Sequence, residues 1–243
     1  MSHFQDKIAG RLYKFSHIIC SDILDMAKIK ANHYEAMLTK ALCSILGPEI
    51  SPGDLTVNER YAIYLKYLSF IEDKNLDRSI DISDYLHADL NNFSTKRIEE
   101  NGVSARHLTG LEAEALEIGC ENTADWILGA MALQVGCNDI EGLPALPPQK
   151  TLDFTCKIIQ SRSERLLSLD QSEFNDLFNK FSYVGSQLNT LVDISYSAGI
   201  VLNKVNNGGT DDAPVRFRAT SAITGPAREL YSILVQENAA VQS

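Results

Sequence analysis

The sequence predicts a mainly α fold, helical bundle-like, with a small C-terminal β-hairpin. Three observations carry that expectation. Apolar residues recur at helical spacing through the first two thirds of the chain, the segment Trp126 to Leu133 is apolar on every side, and 200–219 joins β-branched residues to a turn rich in Asn and Gly.

In chain order, 20–46 runs for seven turns without Gly or Pro and stops at Gly47-Pro48, which predicts one long helix. Thr56 and Glu59 have the spacing of a capping box, in which the hydroxyl takes one orphan N–H and the carboxylate reaches back for another. Behind them Tyr61, Tyr64, Leu65, Leu68 and Ile71 line one helix face. Ile63, Tyr67 and Phe70 make a second stripe, so this helix is expected to be enclosed on two sides. The polar stretch 73–95, with Asp77, Asp81, Asp84 and Asp89, reads as short turns. Thr109 and Glu112 repeat the capping box and open a short helix to about Gly119. Asn122 caps the next, Thr123 to Val135, with Asp125 in the first turn, where the dipole favours an anion.

Gly142, Pro144, Pro147 and Pro148 make 136–150 an extended connector. Helix returns over 151–168, with Arg162 and Arg165 in its final turns, and again after the cap Asp170 to Glu173. There Phe174, Leu177, Phe178 and Phe181 form an aromatic stripe expected in the core. The stretch 186–198 leans to helix. Ile200 to Val205 and Val215 to Ala219 then read as two strands around Asn206-Asn207-Gly208-Gly209, with Phe217 facing inward and Arg216 and Arg218 on the opposite face. Thr224, with Pro226 behind it, opens a terminal helix containing Leu230, Ile233 and Leu234. Two halves, 1–140 and 150–243, are expected to meet across the connector, with a single domain as the alternative.

Composition excludes several classes of function. At 44% hydrophobic and 22% charged residues the chain is ordinary for a globular protein, which rules out wholesale disorder. With 32 acidic against 22 basic residues, the net charge of −10 argues against a generic binder of nucleic-acid backbone or of an anionic membrane surface. The apolar stretches Tyr61 to Ile71 and Trp126 to Gly136 are about half the length a bilayer needs, and Lys14 and His17 interrupt any leader-like run near the N-terminus. Cys20, Cys43, Cys120, Cys137 and Cys156 are odd in number and lack a CxxC pair, so they read as structural thiols in a reducing compartment.

Tests for local chemistry are negative. The sequence has no dinucleotide or phosphate loop, no HExxH, no GxSxG and no EF-hand pattern, and its five histidines are scattered. No catalytic residue, cofactor or metal is therefore expected. Glu114, Glu117 and Glu121 share a helix face, which reads as a solvated face, with contact to a basic partner or a catalytic or divalent-cation site as the alternatives. Arg216, Arg218 and Arg228 are the concentrated positive charge near the C-terminus; they read as a simple exposed face, or as the candidate interface for an acidic partner. Trp126, Phe174, Phe178 and Phe217 are the candidate core anchors.

Three segments carry a resemblance: Leu55-Thr56-Val57-Asn58-Glu59-Arg60 at a helix start, the buried helix Trp126 to Leu133, and Gly199-Ile200-Val201-Leu202 followed by Val215-Arg216-Phe217-Arg218. Their order, across 55–235, resembles proteins of tailed bacteriophages that act in the tail baseplate or its assembly. The resemblance implies a structural component of the virion, made in the host cytoplasm, that works by contact with other tail or virion subunits as a homo- or hetero-oligomer. An assembly chaperone absent from the finished particle is the alternative, as is a helical adaptor or regulator without a phage connection. Some relatives carry paired cysteines for a small metal knuckle. This chain has no such pair, and the resemblance carries no metal ligand to it.

Overall fold

The computed structural model describes residues 4–71, 81–91, 93–137, 140–148, 151–205, 217–223 and 225–241. Within them 54% of residues are helical, 3-10 turns included, in eight α-helices accompanied by three small antiparallel sheets. The fold is mainly α with minor β.

The chain enters through a hairpin that local composition did not announce. Strands β1 (Phe4–Ile8) and β2 (Arg11–Phe15) pair from Phe4 opposite Phe15 to Ile8 opposite Arg11. The turn residues Ala9 and Gly10 both take positive φ, 53° and 76°, the mirror-image turn whose twist suits two tightly linked strands. Ile8, Tyr13 and Phe15 are buried beneath it.

The long helix expected over 20–46 is two helices. α1 (Cys20–Ala27) ends in a turn, and α2 (Tyr34–Leu46) starts again after His33. Asn32 and His33 are weak helix formers. The first turn of α2 is capped from another helix, so the break has tertiary support. Gly47, at φ 75°, ends α2 as expected. α3 (Val57–Ile71) carries the predicted capping box, with the Thr56 amide donating to Glu59 Oε2 at 2.8 Å and the Glu59 amide to Thr56 Oγ1 at 3.2 Å. Val57, Tyr61, Ile63, Tyr64, Leu65, Tyr67 and Leu68 are all buried, so α3 is the central helix.

A single antiparallel bridge, Thr56 to Thr109, sets the starts of α3 and α4 (Gly110–Gly119) side by side. α5 (Thr123–Gln134) follows with Asn122 and Asp125 capping it reciprocally. Its all-round apolar surface is explained by enclosure: Trp126, Ala130, Met131, Ala132 and Leu133 are buried among α4, α6 (Leu152–Leu167) and the C-terminal hairpin. A Cβ on Gly129 would sit 2.5 Å from Leu116 Cδ2, so only glycine lets α4 and α5 approach this closely. β3 (Ile98–Glu100), β4 (Val103–Ala105) and β5 (Gly136–Cys137) make a three-stranded sheet whose first turn is Asn101-Gly102, again with two positive φ values.

Residues 140–148 are neither helix nor strand, as the connector predicts. α7 (Gln171–Ser186) has its capping box at Asp170 and Glu173. Its aromatic stripe is only partly core. Leu177 is buried, Phe174 and Phe181 are half-buried, and Phe178 is 37% exposed, which corrects the expectation for Phe178. The stripe is wider than the short strands it rests on can cover.

The hairpin near 200 exists with different partners. β6 (Asp193–Tyr196) pairs with β7 (Ile200–Asn203) around Ser197 to Gly199, so 193–196 is strand and the helical lean over 186–198 fails there. Ala198 and Gly199 take φ 45° and 133°, which makes Ala198-Gly199 the turn. The expected turn Asn206 to Gly209, the start of the expected second strand with Val215 and Arg216, and Thr224 lie outside the described residues, as does Asp77. Phe217 and Arg218 are extended and lead into a 3-10 turn, Ala219–Ala222, rather than forming a strand. Phe217 and Ala219 nevertheless point inward and are buried. α8 (Gly225–Val241) closes the described chain and packs chiefly on α1.

The main core draws on both sides of the connector: Leu42, Tyr64, Leu68, Leu116 and Trp126 share it with Leu191, Val192, Leu202 and Phe217. A smaller cluster, Val103, Met131, Ala132, Val135, Leu166 and Leu177, joins β4, α5, α6 and α7. No helix among the described residues is long and apolar enough to cross a membrane.

Candidate functional site: a buried charge cluster between three helices

Of the three arginines singled out from sequence, Arg218 and Arg228 are described, and Arg218 precedes a 3-10 turn instead of lying on a strand. Arg216 lies outside the described residues. Arg218 is exposed, its guanidinium 5.3 Å from the centre of the Tyr34 ring, while its carbonyl accepts from the Tyr64 hydroxyl at 2.5 Å. Arg228, at the start of α8, donates from Nε to the Ile223 carbonyl at 2.9 Å. Arg218 therefore sits over the first residue of α2.

The carboxylate row on α4 has the opposite character to a solvated face. Glu112 is fully buried and receives both ends of the Arg106 guanidinium while it caps Thr109. Two residues further, Glu114 accepts from the Thr39 hydroxyl. Glu117 reaches the start of α2, where its Oε1 and Oε2 each lie 3.0 Å from the Glu35 amide nitrogen and Oε2 lies 3.3 Å from that of Ala36. Only Glu121, beyond the end of α4, is exposed. The row faces inward because α4 is packed between α2 and α6.

Two residues of α3 and one of α2 complete the cluster. Arg60 is 0% exposed and Glu35 is 2% exposed. Arg60 Nη2 donates to the Glu35 carbonyl and to Thr39 Oγ1, each at 2.9 Å, and lies 3.4 Å from Glu35 Oε2. The Tyr61 hydroxyl donates to Glu35 Oε1 at 2.6 Å. Gly110 makes room for the guanidinium: a Cβ there would be 2.2 Å from Arg60 Nη1. Nε and Nη1 of Arg60 have no hydrogen-bond partner. One carboxylate, Glu35, thus pairs with the guanidinium, while Glu114 is tied to the same site through Thr39 and Glu117 through the amides of α2. The electrostatic result is visible in the titrating groups. Burial, with the Glu35 charge adding to it, pushes the Tyr61 phenol well above its ordinary range. Burial pushes the Glu117 carboxyl up to about 7, against the amide hydrogen bonds that pull it down.

Two grooves and one surface cluster among the described residues hold groups that other contacts already engage. A cleft of about 550 Å³ at the starts of α3 and α4 is lined by Arg11, Glu49, Asp54, Glu59, Arg106 and His107. Arg106 there is held by Glu112, Glu59 caps Thr56, and His107 Nε2 lies 3.0 Å from the Asn189 carbonyl. A groove of about 360 Å³ between α4, α5 and α6 holds Cys120 and Cys156, but burial raises the Cys120 thiol to about 12, so it remains a protonated thiol rather than a nucleophile. Cys20 and Cys43 are exposed rather than core residues. On the surface, His87 meets Asp193 at 2.9 Å and Thr190 at 3.1 Å through the same ring nitrogen, so the imidazole does not relay a proton between them. Among the described residues no group of three or more His, Cys, Asp or Glu is placed to hold a metal ion.

No family model, no curated protein and no solved structure matches the chain. That Glu114 and Glu117 share a helix face follows from their i, i+3 spacing; that the face turns inward does not. What the sequence did not reveal is the partner: Glu35, Thr39 and Arg60 carry no local pattern that ties them to α4.

Proposed function

We propose that this chain is a non-catalytic structural subunit that works by protein–protein contact. On the resemblance of its three segments, we place that contact in the tail or baseplate of a tailed-bacteriophage particle. The observation that carries the reading is the state of the last three helices. Of the ten exposed large hydrophobic side chains among the described residues, six lie on α6, α7 and α8: Phe154, Leu167, Phe178, Tyr183, Leu230 and Ile233. α8 spans 17 residues, and none of its described side chains is fully buried, although Leu230, Tyr231, Ile233, Leu234 and Val235 are all apolar or aromatic. A helix this apolar and this thinly covered suits a surface that another subunit completes.

Arg218, exposed above Tyr34, supplies a positive point on a chain of net −10 and suits an acidic neighbour. Quantitative mass spectrometry of purified particles tests the reading. A fixed copy number of the chain per particle is the expected result; absence from finished particles favours the assembly chaperone, and absence from both particles and assembly intermediates rejects the phage assignment. Arg218→Ala combined with Arg216→Ala is expected to lower incorporation without shifting thermal unfolding. Unchanged incorporation would retire these arginines as the contact.

A further inference from the structure

We infer that Glu117 is a proton-operated latch between α4 and α2: with its proton on, it holds the first turn of α2 in place, and loss of the proton loosens that joint. α2 has no cap of its own. His33 stands at its N-cap position with φ −94° and ψ 74° and makes no side-chain hydrogen bond to the helix. The first free amides of the helix are instead met by a carboxyl 82 positions away in sequence, on another helix.

The geometry lets this cap survive protonation. Glu117 Oε2 alone reaches both amides, Glu35 at 3.0 Å and Ala36 at 3.3 Å, so Oε1 can carry the proton while Oε2 continues to accept. Protonation removes a negative charge from a crowded place. From α2 the charged neighbour is Glu35, with Lys40 five residues on and already engaged by Asp22 and Asp25. From α3 come Arg60, committed to Glu35 and Thr39, and Tyr61, whose hydroxyl donates to Glu35. From α4 itself comes Glu114, on the Thr39 hydroxyl, with the Arg106–Glu112 pair at the start of the same helix. Arg218 lies over the Tyr34 ring from the C-terminal segment. With both carboxyls ionised, Glu117 lies beside the start of α2 that also carries the Glu35 carboxylate, whose own partners Arg60 and Tyr61 are already engaged with it. The Glu117 carboxyl titrates at about 7, raised chiefly by burial, so the latch operates near neutrality.

The sign follows from linkage. A carboxyl whose folded pKa lies above its unfolded value binds its proton more tightly in the folded state, so folding gains as pH falls from about 7 towards the unfolded value and loses as pH rises through 7. Because Tyr34 begins α2 and lies under Arg218, loosening reaches the exposed arginine as well.

The test compares the wild-type chain with Glu117→Gln, which keeps an acceptor for the amides and cannot ionise. Urea unfolding at pH 6, 7 and 8 should show the wild-type folding constant falling about tenfold relative to the variant across that range. A ratio that stays flat overturns the latch. Should the variant not fold, carbon-13 titration of the Glu117 carboxyl in the wild-type chain decides the matter. A midpoint near 7, with the Glu35 and Ala36 amides exchanging faster above it once intrinsic rates are removed, is the expected result. A midpoint in the ordinary carboxylate range, or exchange without that pH step, refutes the inference.

Discussion

Replacing Arg162 by Met should destabilise the fold by about 3 kcal/mol, and the reason lies at the end of a different helix. Arg162, in the third turn of α6, is 2% exposed and directs Nε to the Ala132 carbonyl, Nη2 to Val135 and Nη1 to Pro144. Ala132 and Val135 belong to the closing turn of α5, whose last carbonyls have no intrahelical donor. A cation there also opposes the negative end of the helix dipole. Methionine fills similar volume with no donor, so three acceptors lose their partner. Each buried unsatisfied acceptor costs about 1–3 kcal/mol, for a sum near 5, and removing a desolvated charge offsets part of it. A net loss of about 3 kcal/mol corresponds to a fall in Tm of roughly 6–12 °C for a chain of this size. Arg162→Lys keeps the charge but cannot serve three diverging carbonyls, and should cost about half as much. Urea unfolding followed by the fluorescence of Trp126, on α5 itself, gives both values, with an unchanged m showing that only stability moved. A loss under about 1 kcal/mol for Met, or a lysine variant equal to wild type, would mean that these carbonyls find other donors and that Arg162 does not close α5.

Trp126, 2% exposed and stacked on Tyr196 with ring centres 6.0 Å apart, should emit as a buried indole, and Trp126→Ala should cost about 3–5 kcal/mol; emission typical of indole in water would refute the packing. Burial lowers the His107 pKa, so its contribution is complete above the unfolded value and is lost as pH falls through the lowered one. His107→Gln should therefore flatten the acid limb of stability below about pH 6.5, and an unchanged limb would exclude that role. A fragment ending at 140 should fail to unfold cooperatively, because Leu191, Val192, Leu202 and Phe217 complete its core; a soluble cooperative fragment would establish two domains.

What could be read from sequence was local. Both predicted capping boxes, at Thr56 and Thr109, are present, and the predicted caps Asn122 and Asp170 also close boxes with Asp125 and Glu173, because the geometry of a helix start is decided within one turn. Errors cluster where distant contacts decide. The break at 28–33 falls in a stretch free of Gly and Pro, where only the weak helix formers Asn32 and His33 hint at it, and Phe178 is exposed because the sheet beneath α7 is too small for the stripe above it. The strand at 193–196 escapes a sequence reading because its partner lies just past Ala198-Gly199, a tighter turn than the Asn- and Gly-rich run that follows. The hairpin at Asn101-Gly102 did have the strongest short turn signal available, but three-residue strands give alternation too little length to register.

The polar side chains that position these helices act across the chain rather than along it. Glu117 caps α2 from 82 residues away, Arg162 closes α5 from 30, and Asn58 Oδ1 accepts the amides of Leu191 at 2.8 Å and Val192 at 3.1 Å from more than 130. Apolar packing would tolerate small rotations of α2, α5 or the 191–192 segment at modest cost, since dispersion contacts are numerous and individually weak. A buried amide or carbonyl tolerates no such slip, because a displaced acceptor leaves its donor unsatisfied. These few side chains therefore select one arrangement from the several that the same apolar faces would allow. They also place Tyr34, at the start of α2, beneath Arg218. The charge cluster is buried, yet it fixes the register of the surface on which the proposed contact depends, so substitutions at Glu35, Arg60 or Glu117 should be felt there without touching a partner.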